Sequence, residues 1–213
     1  MKTDRTYYSL ILDCSGSMNS VIEETVAGLN QHIIRIKELA ARYPEKELFT
    51  SMTFFNNNIS QIYSRVFPES LKEITFSDYR PDGSTALLDA IGMEVSNLQK
   101  GIGSEIEDDE AKCYVVIITD GFENSSRYFL KYEEIASTIN KLEESGKWKF
   151  SFVGTNLNAM EVASKLNIKR ENTMHFNFSD SFLIFSNIGD SICTYLEEKD
   201  GDKINISRYE DDD

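Results

Sequence analysis

Two apolar runs in this chain end in aspartate, and the residue types around those ends could do chemistry. The first reads Leu10-Ile11-Leu12-Asp13-Cys14-Ser15-Gly16-Ser17-Met18, the second Val115-Val116-Ile117-Ile118-Thr119-Asp120-Gly121. Asp13, Ser15 and Ser17 are spaced by two, so an extended turn projects all three side chains to the same side. Each offers oxygen, and an all-oxygen set without His or Cys suits a hard cation such as Mg²⁺, Mn²⁺ or Ca²⁺. Plainer readings compete. Ser15 and Ser17 could cap a following helix, and Asp120-Gly121 could be a simple turn. Cys14 alternates toward the opposite side, which makes it a core thiol and not a ligand. His32 and His175 are far apart in sequence and lack the Cys or Asp neighbours of a zinc site or a catalytic triad. Gly101-Ile102-Gly103 lacks the third glycine of a dinucleotide loop, and there is no Walker A sequence.

The segments that must position these residues alternate between two periodicities. Tyr7 to Leu12 has the length of a buried strand. Ile22, Val26, Leu29, Ile33, Ile36 and Ala40 follow at helical spacing, with a capping box predicted at Ser20 and Glu23. Leu48 to Phe55 and Ile59 to Phe67 are strand-like, and Asn56-Asn57-Asn58 between them predicts an antiparallel hairpin. A helix bearing Leu88, Ile91, Val95 and Leu98 is expected after Gly83-Ser84-Thr85. The glycines and acids of Gly101 to Glu110 predict a solvated loop, and Tyr114 to Ile118 a third buried strand. Beyond it come a helix through Tyr132, Ile135, Ile139 and Leu142, a strand from Trp148 to Val153, and a second capping box at Asn158 and Glu161. A short strand around Met174 to Phe178 and a helix bearing Phe185, Ile188, Ile192 and Leu196 close the series. Alternation of β-branched strands with helices implies a mostly parallel α/β sheet covered on both faces, with the hairpin's second strand antiparallel at the edge. One domain over residues 1–199 is expected, followed by an acidic tail over 200–213 that frays.

Composition narrows the partners. The 213 residues carry 22 Lys and Arg against 36 Asp and Glu, a formal charge of −14. That balance excludes nucleic acid and anionic membranes as default partners, since both require a basic footprint. The aromatic pairs Tyr7-Tyr8 and Phe54-Phe55 are accordingly read as core and sheet edge. No apolar run approaches the length of a membrane span. Three widely spaced cysteines and no apolar signal-peptide core lead to the expectation of a cytoplasmic protein with free thiols.

Taken together, Asp13-x-Ser15-x-Ser17, Thr85 in the loop before a helix, and Asp120 after a strand resemble the metal-ion-dependent adhesion site of von Willebrand factor A (VWA) domains. The likeness runs from Tyr7 to about Tyr195. It is nearest the stand-alone bacterial and phage members in Gly83-Ser84-Thr85-Ala86-Leu87-Leu88-Asp89-Ala90 and Ile118-Thr119-Asp120-Gly121-Phe122-Glu123-Asn124. The resemblance implies a doubly wound, Rossmann-like sheet of six strands in the order 3-2-1-4-5-6. It also implies a divalent cation, Mg²⁺ or else Mn²⁺ or Ca²⁺, bound directly by the Ser15 and Ser17 hydroxyls. Thr85 would join them in a ligand-ready state, with Asp13 and Asp120 acting largely through water.

A cation held mostly by neutral oxygens stays under-neutralised, so a partner's Asp or Glu makes a good final ligand. The function expected is therefore a non-catalytic, metal-dependent protein-binding module. A phosphohydrolase is the first alternative, but Ser15 stands where dehalogenase-type chemistry needs a second carboxylate. A structural subunit with a vestigial metal site is the other. Asp89 reads equally as a support for the site or as a surface acid on a helix. Glu123 and Asn124 read as ordinary loop residues that could shape partner choice, and Asp82 as a turn residue.

Overall fold

A computed structural model of the chain describes residues 4–154, 157–175 and 181–197. Six strands form one sheet: β1 (Asp4–Asp13), β2 (Lys46–Phe55), β3 (Ile59–Val66), β4 (Ala111–Thr119), β5 (Trp148–Gly154) and β6 (Thr173–His175). Their order is β3-β2-β1-β4-β5-β6. All neighbours pair parallel except β2 and β3, the antiparallel hairpin at the edge. Five α-helices cover it: α1 (Ile22–Arg42), α2 (Leu87–Glu107), α3 (Tyr132–Glu144), α4 (Leu157–Lys165) and α5 (Ser181–Glu197).

Strand alternation sorts β1 between two cores. Tyr8, Leu10 and Leu12 face α1 and α5, packing with Leu29, Ile33, Ile36, Phe185 and Ile188. Tyr7 and Ile11 point the other way, toward Leu88, Ile91 and Val95 of α2 and Ile135 and Ile139 of α3. Both faces of the central strands are thus dry, which explains their unbroken apolar runs. Both aromatic pairs, Tyr7-Tyr8 and Phe54-Phe55, are buried in these cores. Among the described residues no helix is long and apolar enough to cross a membrane.

Two local expectations need correction. The segment Gly101 to Glu107 is not a solvated loop: α2 runs on through it, because Ile102 and Ile106 extend the buried stripe of Leu88, Ile91, Val95 and Leu98. At Gly101 a Cβ would meet the Arg65 guanidinium, so glycine here makes room for a neighbour and does not end the helix. The capping box at Ser20 is absent. Ser20 lies in a 3-10 turn (Gly16–Val21) and donates to the Ser17 carbonyl, and α1 starts after Val21 without a side-chain cap. The last strand is described over Thr173–His175, and the remainder of its expected span, 176–178, lies outside the described residues. The Asn158 side chain and the tail over 200–213 also lie outside them.

Candidate functional site

The strand order reverses between β1 and β4: β1 continues to β2 on one side, while β4 lies on the other. In open α/β sheets such a switch point opens a crevice beyond the carboxyl ends of the strands. Asp13 is the last residue of β1, and Thr119 is the last of β4, with Asp120 directly after it. The third segment, 82–86, is drawn to the same place by backbone hydrogen bonds. Gly16 N–H donates to the Gly83 carbonyl (3.0 Å), Asp82 N–H to the Cys14 carbonyl (3.0 Å) and Ala86 N–H to the Asn56 carbonyl (2.8 Å). Gly83 sits at φ +71°, where side chains other than glycine are strained, and the Asp82 carboxylate accepts its N–H, as a turn residue would. Tyr79, fully buried, fixes this approach from below by donating to the Asp13 carbonyl at 2.6 Å.

The sequence-predicted oxygens converge. Ser15 and Ser17 hydroxyls lie 3.1 Å apart, and Ser17 Oγ donates to Asp120 Oδ1 at 2.7 Å. Asp13 Oδ1 accepts the Ser15 N–H (2.7 Å) and its Oδ2 accepts the Thr119 hydroxyl (2.5 Å). Gly121 gives the common reference point: a Cβ placed on it would lie 3.1 Å from Thr85 Oγ1 and 3.8 Å from Asp13 Oδ2. Asp13, Ser15 and Thr85 are buried, whereas Ser17 is exposed and Asp120 half-buried, so the cluster opens to solvent on the Ser17–Asp120 side.

Electrostatics at this cluster are set by the burial of its two carboxylates. Burial raises the Asp13 carboxyl to about 6, against the pull of hydrogen bonds from Thr119 and Ser15; the Asp120 charge adds to the rise. Asp120 is raised too, again by burial, with the Ser17 hydrogen bond opposing. Two desolvated carboxylates flanked by hydroxyls are a donor set that a hard cation would relieve, and the small Gly121 leaves that space unfilled. Among the described residues no three His, Cys, Asp or Glu side chains group together as a metal site. A cation here would depend on hydroxyl oxygens with two carboxylates.

The surroundings hold residues whose part was left open by the sequence or read as ordinary loop. Asp89, in the first turn of α2, is buried and accepts three backbone amides: Arg127 (2.7 Å), Tyr128 (2.9 Å) and Phe129 (2.8 Å). It is no surface acid. Its position among Leu87, Leu88, Ala90 and Ile91 is the available signal, since a carboxylate flanked on all sides by apolar residues has to be buried and satisfied. Glu123 is likewise more than a loop residue. It accepts the amides of Ser125, Ser126 and Leu88, the last at the start of α2. Asn124 Oδ1 accepts the Thr85 amide at 2.9 Å while its own amide donates to the Thr85 carbonyl. Asn124 ties the loop after β4 to the loop carrying Thr85, while Asp89 and Glu123 tie it to the first turn of α2. Cys14 is the buried core thiol expected, raised to about 11 by burial. His32 and His175 lie away from the cluster: His32 is buried against Tyr8, at 2.8 Å from its hydroxyl, and His175 ends β6.

No family model and no curated protein matches this chain. Solved structures do. The vWF domain of the type V pili tip protein Mfa5 from Porphyromonas gingivalis aligns at a TM-score of 0.67 with 9% identity, over 95% of this chain and 99% of that one. The fold is VWA-like. The pilus adhesin SpaC from Lactobacillus rhamnosus GG aligns at 0.67 with 10% identity, over 92% of this chain and 31% of the adhesin. Proximal thread matrix protein 1 from the mussel byssus, with a zinc-occupied MIDAS motif, aligns at 0.59 with 12% identity, over 90% of this chain and 46% of that one. This chain thus spans just under half the length of the thread matrix protein, and at such identities the likeness is one of fold.

One expectation is overturned by these comparisons. The VWA-like structures belong to pili, a pilus adhesin and byssal threads, which are assemblies outside the cell, so the cytoplasmic assignment is withdrawn. Its premise was weak for a physical reason. Cys14 and Cys113 are free because they are buried, and a thiol shielded by packing stays unpaired in either redox compartment.

Proposed function

We propose that this chain is a protein-binding module of VWA type, and that it engages its partner through a divalent cation. Ser15, Ser17 and Thr85 would hold the ion with their hydroxyls, and Asp13 and Asp120 would supply the compensating charge. The bound cation would supply a positive centre with a position open to a partner's carboxylate. Ser17 and Asp120 form the solvent side of the cluster and would meet the incoming group first. Thr119 and the Ser15 amide hold the Asp13 carboxylate in one orientation. Asn124 fixes the backbone on which Thr85 is presented. A net charge of −14 repels an acidic partner unless the field is locally reversed, which such a site would do.

The convergence of these oxygens from three segments at the β1–β4 switch point carries this reading. Among the relatives in fold are a pilus tip protein, a pilus adhesin and a thread matrix protein, which favours a binding module over an enzyme. The test is a partner recovered on immobilised chain in Mg²⁺ and rechallenged with EDTA and with Thr85→Ala. Release by EDTA and loss in Thr85→Ala are expected. Undiminished retention under both conditions would leave an ordinary surface interface as the account.

A further inference from the structure

The loop that follows Asp120 exposes large apolar side chains. Phe122, Tyr128 and Leu130 are 44%, 72% and 69% exposed. A loop free to rearrange would turn such groups inward, since each Å² of apolar surface removed from water is favourable by about 25 cal/mol. This loop is held against doing so. Phe129, between Tyr128 and Leu130, packs on Gly92 of α2, where a Cβ would come within 2.5 Å of its ring. The amides of Arg127, Tyr128 and Phe129 are bound to Asp89, and Glu123 is turned inward onto the amides of Ser125, Ser126 and Leu88. With Phe129 and Glu123 committed inward, Tyr128 and Leu130 are presented to solvent on a fixed backbone. The exposed charges of the segment are Arg127 and Lys131, both positive on a strongly acidic protein.

A rigid apolar surface beside a polar site binds without an ordering cost, and aromatic anchors dominate such contacts. Phe122 follows Asp120 by two residues, and Asn124 joins the same loop to Thr85, so the loop that carries these side chains borders the oxygen cluster. We infer that the loop Phe122–Leu130 is a rim that reads the residues beside the coordinating carboxylate. The partner is then an extended protein segment carrying an Asp or Glu next to large apolar side chains. The inference rests on the cation-bridged reading given above.

Two labelled nonapeptides with a central Asp test it, one flanked by Gly and Ser, the other by Leu and Tyr. Both span about 30 Å when extended, enough to cover cluster and rim together. Anisotropy is measured with the full chain and with the Tyr128→Ser/Leu130→Ser double variant, in Mg²⁺ and in EDTA. The apolar-flanked peptide should bind about tenfold more tightly to the wild-type chain. That preference should vanish in the double variant, whose melting temperature should still rise with Mg²⁺. Equal affinity of the two peptides for wild type, no binding of either, or a preference indifferent to the double variant overturns the rim. A preference that survives EDTA yet vanishes in the double variant keeps the rim and removes the cation bridge.

Discussion

Replacing Asp89 by Asn should loosen the loop beside the site without touching any of the proposed cation ligands. The carboxylate takes the Arg127 amide on Oδ2 and the Tyr128 and Phe129 amides on Oδ1. Asn keeps one acceptor oxygen and places an NH₂ against the other amide or amides. With the oxygen at the Oδ1 position one bond is lost, and with the side chain flipped two are lost. A hydrogen bond to a charged acceptor contributes about 1.5–3 kcal/mol. Arg127 and Tyr128 are exposed, so their freed amides regain water and the total loss stays at about 2 kcal/mol. For a chain of this length that corresponds to a fall in melting temperature of about 4–8 °C. Urea unfolding should show the midpoint moving with the slope unchanged, and hydrogen exchange should speed at Arg127 through Phe129. A loss under about 0.5 kcal/mol, the level of an ordinary surface substitution, would refute the claim that Asp89 holds the loop.

Two further outcomes follow from buried groups away from the site. Glu94 on α2 is buried and accepts Ser9 Oγ (2.7 Å), Thr53 Oγ1 (2.9 Å) and Gln61 Nε2 (3.2 Å), linking three strands to one helix. Glu94→Ala strands the buried Ser9 and Thr53 hydroxyls and should cost about 2–4 kcal/mol in urea unfolding, while an unchanged midpoint would show the network idle. Burial lowers His32 from 6.5 to about 4, so it is neutral in the folded chain where the unfolded chain would already be charged. Its contribution is complete above pH 6.5 and is lost as pH falls toward 4, about 3 kcal/mol in all. Asp13, raised to about 6, titrates in the opposite sense within this range, so the measurement is a difference between wild type and His32→Gln. Parallel stability profiles for the two would contradict the shift.

The sheet was readable because its central strands are buried on both faces. Unbroken runs such as Leu10–Leu12 and Tyr114–Ile118 admit few other placements. Asn56-Asn57-Asn58 marked the hairpin and so the antiparallel edge. Where the reading failed, a local signal lost to packing. Gly101 and Gly103 looked like breakers, but Ile102 and Ile106 had apolar surface to bury and carried α2 onward. Ser20 and Glu23 spelled a cap, but the 3-10 turn after Ser15 consumed the serine. At the site, Asp13, Ser15, Ser17 and Asp120 stood out by residue type and spacing, and Thr85 only through the resemblance to VWA domains. Of their supports, Asp89 was one of two open readings, while Glu123 and Tyr79 were not legible; the three act on backbone groups 39, 35 and 66 residues away, and no local pattern encodes such pairings.

The most direct measurement of the cation site is paramagnetic broadening of backbone amide signals by Mn²⁺ in the isotope-labelled chain. It maps an ion by distance and separates one site from diffuse attraction to a surface of charge −14. Broadening should be centred on residues 13–17, 84–86 and 119–122, should be competed by Mg²⁺, and should disappear in Asp120→Asn. Broadening centred instead on the acidic stretch Glu105–Glu110, or spread evenly over the surface and unchanged in Asp120→Asn, would contradict a cation held by Asp13, Ser15, Ser17, Thr85 and Asp120.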